Sequence, residues 1–481
     1  LKYIFQITGP LVAIFFWFFL DLSPGNPQIT QMAGVALWMS LWWITEAVNL
    51  GITAMIPVLV LPLLGISEVK TVAQQYTDSI IFLFFGGFML AFAIEKWGLH
   101  KRIALKILSL VGSSPRNVLL GVMMATFFIS NWISNTATTV MLFSAVLALV
   151  HETSNYLRSH KSEFGAAMLL GLAFSATIGG MATPVGTPPN MYFFKVFRES
   201  YADMYDFNFL KWSYVGFPIA LVFLFICFIV LYKYFLPRRL GFEINREYFK
   251  QQFKSLGKMG YEEKWVFGIF IACVLLWFSR ADIDMGTWKI KGWANFLKTP
   301  KYIDDSFIAI IAAMLLFLIP SRNQKGNALL EWEDTGKLRY DIILMFGSGF
   351  ALAYGFEITG LSNWLADQLL IMKGVPVIVI IFAICCIVTL ISEFASNIAS
   401  IQLAIPVMMA LQKNLDVTPL QLMIPATFAA SLGFMLPVAT AANTIVFGTK
   451  LINIRDMFKV GFILDILGII VITLLCYFYL D

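Results

Sequence analysis

The sequence predicts an all-α polytopic membrane protein, with about eleven transmembrane helices and two re-entrant hairpins in an inverted repeat. Three observations predict it. The chain is 59% hydrophobic and only 13% charged, with a mean hydropathy of +0.79, too apolar for a soluble protein of 481 residues. Many of its apolar windows have the roughly 17–25 residues that carry a helix across a hydrocarbon core about 30 Å thick. The chain also matches itself. Displaced by about 262 residues, Phe88 falls on Phe350, Glu95 on Glu357, Gly98-Leu99 on Gly360-Leu361, and Ser134-Asn135 on Ser396-Asn397.

Taken in order, spans are expected near 4–20, 31–48, 51–66, 78–109, 164–198 and 213–235. The second set lies near 263–280, 305–320, 341–370, 420–453 and 457–480. The first lacks a small-residue cleavage site and runs into a Pro/Gly loop, so it reads as a retained span. The stretches 117–150 and 375–411 are awkward as single helices. Each carries a Ser-Asn pair near its middle and is long enough to enter, turn and return. Non-helical backbone at that depth is tolerated only where protein or a cavity surrounds it. The span 164–198 must break at Gly186-Thr187-Pro188-Pro189, because adjacent prolines remove donors and clash with the preceding turn. Its counterpart in 420–453 keeps Thr440 and Asn443 but has Ala441-Ala442 in place of the prolines, so its break is expected to rest on Gly433 and Pro437.

Basic residues orient the chain. His100-Lys101-Arg102 with Lys106, the run from Lys233 to Lys258, and Arg322, Lys325, Lys337 and Arg339 fall on one side. The positive-inside rule makes that side cytoplasmic, with the N-terminus inside and the C-terminus outside a cell membrane. The region 281–304 mixes both charges and is expected to be an outer loop with its own short structure. The organisation that follows is a first helix (1–30), a first repeat (31–240), a cytoplasmic linker (241–262) and a second repeat (263–481). An odd number of crossings per repeat turns the second upside down. The stretch 240–260 reads equally as a surface amphipathic helix or a solvated linker.

The polar residues point to binding, not to covalent chemistry. His100, His151 and His160 lie in or beside basic loops, and there is no HExxH, GxSxG or P-loop. The five cysteines occupy apolar runs without metal or redox spacing, and a net charge of +5 spread over loops gives no nucleic-acid surface. A hairpin tip, by contrast, brings together N–H groups of one helix end and carbonyls of another. The N–H groups, with Ser, Thr and Asn side chains, can hold a carboxylate, while carbonyl, hydroxyl and amide oxygens can hold Na⁺. Polar, helix-breaking residues at matching places in two hydrophobic halves point to the binding site of a solute carrier. Glu46, Glu95 and Glu357 lie near span ends. Glu393 is the deepest by sequence, and both a role in positioning the second hairpin and a proton-linked role stay open for it.

At these residues the chain resembles the divalent anion–sodium symporter family, and more narrowly its INDY-like di- and tricarboxylate carriers. The resemblance rests on Trp42-Trp43-Ile44-Thr45-Glu46-Ala47, Gly86-Gly87-Phe88 through Glu95, the two Ser-Asn motifs, Gly186 to Asn190, and Ala430 through Val446. It implies a homodimer whose transport unit moves like an elevator. It implies a C4 or C5 dicarboxylate (succinate, malate, fumarate, 2-oxoglutarate) held by Ser134, Asn135, Thr136, Ser396, Asn397 and Ile398, with Thr187 and Thr440 close by. It further implies one Na⁺ near Ser130, Ser134, Asn135 and Gly186, and another near Ser392, Ala395, Asn397 and Ala439. Two departures matter: Ile398 stands where many members have threonine, and Lys450 follows Asn443 by two turns. That lysine reads either as snorkelling to the interface or as a built-in cation. Na⁺ symport and Na⁺-independent exchange of dicarboxylates both stay open, as do citrate or sulfate as the solute and, more remotely, an ion channel.

Overall fold

The computed structural model describes residues 2–480 except 111–113, 154–160, 202–206, 237–245, 285–288, 325, 414 and 416. Over those residues the chain is almost wholly helical. The exception is a ribbon pairing Ile283–Asp284 with Lys289–Ile290, inside the connection expected to carry its own short structure. Among the described residues, six helices are long and apolar enough to cross a membrane: Val69–Lys96, Glu163–Gly180, Phe209–Phe235, Tyr340–Thr359, Val377–Phe394 and Ile454–Tyr479. Shorter apolar helices, including Pro115–Ser130, Asn135–Thr153 and Asn397–Gln412, lie between them.

Helix starts have local causes. Asp78 accepts from the N–H of Ile80 at 2.8 Å, Asn208 from that of Lys211 at 3.0 Å and Asp304 from that of Ser306 at 3.0 Å. Each satisfies one of the donors a helix leaves unpaired at its N-terminus. Three expected single spans are divided instead. The stretch 78–109 splits into Ser79–Lys96 and Leu99–Leu110 at Gly98, with φ +72°, and 341–370 splits after Thr359 at Gly360, with φ +82°. A left-handed residue ends a helix, and glycine adopts that conformation without the strain a side chain brings. The stretch 51–66 is likewise Leu50–Thr53 followed by Ile56–Leu63.

Two helices form the centre. From Phe164 to Gly180, and again from Gln421 to Ala429, every residue is buried. A helix apolar all round is one covered by protein on every face. Pro115–Ser130 and Asn135–Thr153 pack on the first, and Val377–Phe394 and Asn397–Gln412 on the second. The helical alternative for the linker is the one observed, over Arg246–Ser255, while Arg238, Arg239 and Phe242 lie outside the described residues. This helix packs on Leu99–Leu110. Lys106 sits 5.3 Å from the centre of the Phe253 ring, and Arg102 donates to the carbonyl of Gly257 at 2.9 Å and to Glu263 Oε2 at 2.9 Å.

Glu262 anchors the start of the Tyr261–Ser279 helix to the chain after Leu318. Its Oε1 accepts from Ser321 Oγ at 2.9 Å and from the N–H groups of Arg322 and Asn323, both at 2.8 Å, and its Oε2 from Asn323 Nδ2 at 2.9 Å. Glutamine can offer these donors only one accepting atom. Glu262→Gln is therefore expected to cost about 1–2 kcal/mol through replacement of charge-assisted bonds by neutral ones. A lowered melting temperature for the purified protein would show it; an unchanged one would remove this anchor from the account.

Candidate functional site

Each hairpin turns over a short polar break, and the two breaks are built alike. In the first, Ser130 Oγ lies 3.0 Å from Asn135 Oδ1 and 2.6 Å from the carbonyl of Ala176 on the buried central helix. In the second, Ser392 Oγ lies 3.1 Å from Asn397 Oδ1 and 2.7 Å from the carbonyl of Ala430. Ser134 Oγ accepts from the N–H of Ala137 at 3.4 Å, and Ser396 Oγ from that of Ala399 at 3.4 Å, so each serine caps the returning helix. The positive end of that helix's dipole therefore points into the turn.

Facing each turn is a helix that stops and restarts. The first runs Lys161–Gly180, opens over 181–187, and resumes as Pro188–Tyr201. Its prolines occupy the first positions of the resumed helix, where a missing N–H costs nothing. The second runs Pro419–Ala429, opens over 430–440 around Gly433 and Pro437, and resumes as Ala441–Phe447 under a Thr440 cap. One asparagine holds each opening. Asn190 Nδ2 donates to the carbonyls of Gly180 at 3.0 Å and Thr183 at 2.7 Å. Asn443 Nδ2 donates to those of Gly433 at 2.9 Å and Leu436 at 3.1 Å. Both side chains are fully buried, and the Oδ1 of each has no hydrogen-bond partner.

The openings are tied to their hairpins by different chemistry. Thr183 Oγ1 donates to the carbonyl of Asn131 in the first turn. Across the second, the fully buried Glu393 accepts the N–H groups of Met435 at 2.9 Å and Leu436 at 3.0 Å. These contacts tie the loop that carries Ala439 and Thr440 to the second hairpin. Glu46 and Glu357 lie away from these openings, Glu46 in a left-handed cap with φ +45°.

All four breaks line one cavity of about 330 Å³. Ser134, Asn135, Thr136, Gly186, Thr187, Ser396, Asn397, Ile398, Ala439 and Thr440 are on its wall. Ser130, Ser392 and Ala395 sit behind that wall, within their hairpins. Lys450 is not on it: it is exposed beyond Ala441–Phe447, with φ +60°. The opposite wall was not foreseen as part of a site. It consists of Phe84, Phe88 and Phe92 with Glu95, and of Lys337 and Arg339 ahead of the Tyr340–Thr359 helix. The signal is present in the sequence, where Lys337 and Arg339 lie within four residues of the expected span 341–370. Arg339 pairs with Asp341 at 2.7 Å, and Lys337 lies 5.8 Å from the Phe92 ring centre.

Further along Pro188–Tyr201, away from the break, two ion pairs cross to neighbouring helices. Lys195 Nζ, with a side chain 2% exposed, lies 2.7 Å from Glu199, 3.5 Å from Asp78 and 4.1 Å from the Phe350 ring centre. Arg198 lies 3.2 Å from Asp304.

The donor set is one of oxygens: hydroxyls, amide oxygens and free helix-end carbonyls, suited to a hard monovalent cation. Among the described residues no group of three or more His, Cys, Asp or Glu converges as a transition metal would need. Capped N-termini in the same wall suit a carboxylate.

Residues 2–480 match the family described as sodium:sulfate symporter transmembrane region. The chain is 35% identical over 482 residues to the sodium-dependent dicarboxylate transporter SdcS of Staphylococcus saprophyticus, covering 98% of this chain and 90% of that protein. It is 36% identical over 490 residues to SdcS of Staphylococcus aureus strain USA300, with the same coverage. Its fold is similar to the solved structure of Neisseria gonorrhoeae MtrF, described with a class of antimetabolite efflux pumps. The TM-score is 0.56 at 14% identity, over 97% of this chain and 96% of that one.

Proposed function

The chain belongs to the sodium:sulfate symporter family, the divalent anion–sodium symporters, and from that premise we propose that it carries C4 and C5 dicarboxylates across the cell membrane together with Na⁺. The observation that carries the proposal is the repeated unit of serine, asparagine and helix-end carbonyl, Ser130–Asn135–Ala176 and Ser392–Asn397–Ala430. One Na⁺ binds at each unit, with Ser134 and Gly186 completing the first and Ala395 and Ala439 the second. The dicarboxylate lies between the tips, its carboxylates on Ser134-Asn135-Thr136 and Ser396-Asn397, with Thr187 and Thr440 alongside and Ile398 as an apolar edge. The names of the SdcS relatives support both sodium and dicarboxylate.

Charge explains the coupling. Moving a dianion through a low-dielectric region uncompensated costs many kcal/mol. Two co-bound Na⁺ offset it, so only the full or the empty carrier crosses without added net charge. Lys337 and Arg339 lie in a basic connection, which the positive-inside rule assigns to the cytoplasm. On that assignment the cavity opens inward, and these cations draw dianions to it. The two halves are an inverted repeat, the hairpins are re-entrant, and the hairpins with the broken helices move together as an elevator within a homodimer. Family membership supports that motion, and so does the burial of both central helices within the hairpins.

In proteoliposomes, labelled succinate uptake is expected to require an inward Na⁺ gradient and to proceed into vesicles with no internal dicarboxylate. Uptake only into vesicles preloaded with unlabelled dicarboxylate, indifferent to Na⁺, would replace symport with exchange.

A further inference from the structure

A second cavity, of about 360 Å³, lies behind the first. Its floor is the first hairpin, through Val122 and Ala125 on one helix and Leu142, Ala145, Val146 and Leu149 on the other. Its roof is the Leu99–Leu110 helix, through Ala104, Leu105 and Leu108. His100, Lys101, Ser144 and Gln252 supply its polar groups, the last from the linker helix. Met141 lines both cavities, so one side chain of the hairpin separates this chamber from the proposed substrate site.

The chamber's chemistry selects its occupant. Most of its lining is aliphatic, which suits a hydrocarbon chain and disfavours a free anion. Basic charge lines the roof: Leu99–Leu110 carries Lys101, Arg102 and Lys106 and no acidic residue, with Arg102 held by Glu263. His100 Nδ1 is engaged 3.1 Å from the carbonyl of Ile94, which fixes the ring at the rim, and Lys101 is exposed. An amphipathic, basic helix at a membrane surface attracts anionic headgroups. We propose that this chamber binds an anionic phospholipid, one acyl chain between the roof helix and the first hairpin and the phosphate beside Lys101, and that the lipid tunes transport by bearing on the hairpin through Met141. The tuning rests on the transport reading above; the binding does not.

The test uses the purified full chain and vesicles of phosphatidylcholine, alone or with about one-fifth phosphatidylglycerol. Two variants probe the chamber: Ala145→Trp fills it, and Lys101→Gln removes the rim charge. Neither residue belongs to the proposed substrate or Na⁺ sites. Native mass spectrometry is expected to find phosphatidylglycerol retained by the wild type and lost from both variants. Succinate uptake by the wild type is expected to rise about threefold with phosphatidylglycerol, and that of the variants to stay at the phosphatidylcholine rate. Equal retention by wild type and Ala145→Trp overturns the site. Retention lost in the variants while the uptake stimulation persists overturns the coupling through Met141. Absence of uptake from every vesicle counts against the transport reading, and the mass spectra still decide the binding.

Discussion

Asn397→Ala is expected to reduce Na⁺-driven succinate uptake about a hundredfold, to background, while the protein still elutes as a folded species. The amide does several things at one point. Its Oδ1 faces the Ser392 hydroxyl at 3.1 Å, and that hydroxyl in turn faces the carbonyl of Ala430 at 2.7 Å. In the proposed mechanism the same oxygen is a Na⁺ ligand and the amide N–H₂ meets the substrate. Removing one polar group from such a site costs about 3 kcal/mol, and each 1.4 kcal/mol is a factor of ten. Asn135→Ala removes the matching amide and should behave the same way. A wild-type rate in either variant would sink the paired site, because the argument depends on the two halves being equivalent.

The second large effect comes from a single methyl group. A Cβ on Gly186 would lie 2.5 Å from the carbonyl oxygen of Gly180, 2.9 Å from its Cα and 3.0 Å from its carbonyl carbon. All three are backbone atoms of the central helix, so no side chain can turn aside. Gly186→Ala must therefore push the ends of the first opening apart, and with them the carbonyls that Asn190 holds. Uptake is expected to fall at least tenfold, with an overpacking cost of about 1–3 kcal/mol. The second half supplies the control. Its corresponding residue, Ala439, already carries a Cβ, and a Cβ at Gly433 would meet it at 3.2 Å. Ala439→Gly should accordingly leave uptake within a factor of about two. Equal losses from the two substitutions would show that backbone proximity is not what sets the response.

The repeat is why so much of the site could be read from the sequence. Ser134-Asn135 and Ser396-Asn397 stood out as polar strings in apolar surroundings, and Pro188-Pro189 marked a helix that could not continue. The wall that faces them left no such mark. Phe84, Phe88 and Phe92 look like any lipid-facing stripe, and only tertiary packing brings Lys337 and Arg339 to the cavity. Gly98 and Gly360 stand at matching positions, but the left-handed turns they make leave no mark in the sequence, since glycine is also common within membrane helices. Glu393 is legible in the sequence as deep and as a candidate for positioning, but the groups it meets are not. The main-chain N–H groups it accepts lie about forty residues on, which no side-chain pattern announces.

Lys195 gives the helix Pro188–Tyr201 a property of its own. Its nearer carboxylate, Glu199, belongs to the same helix at 2.7 Å, and only the farther one, Asp78, belongs to a neighbour at 3.5 Å. A buried cation stranded by displacement of its helix would resist that displacement strongly. Here the neutralising charge is a passenger. In the proposed motion Pro188–Tyr201 would carry the short Lys195–Glu199 pair with it, and would give up the longer contact to Asp78 and the Arg198–Asp304 pair at 3.2 Å.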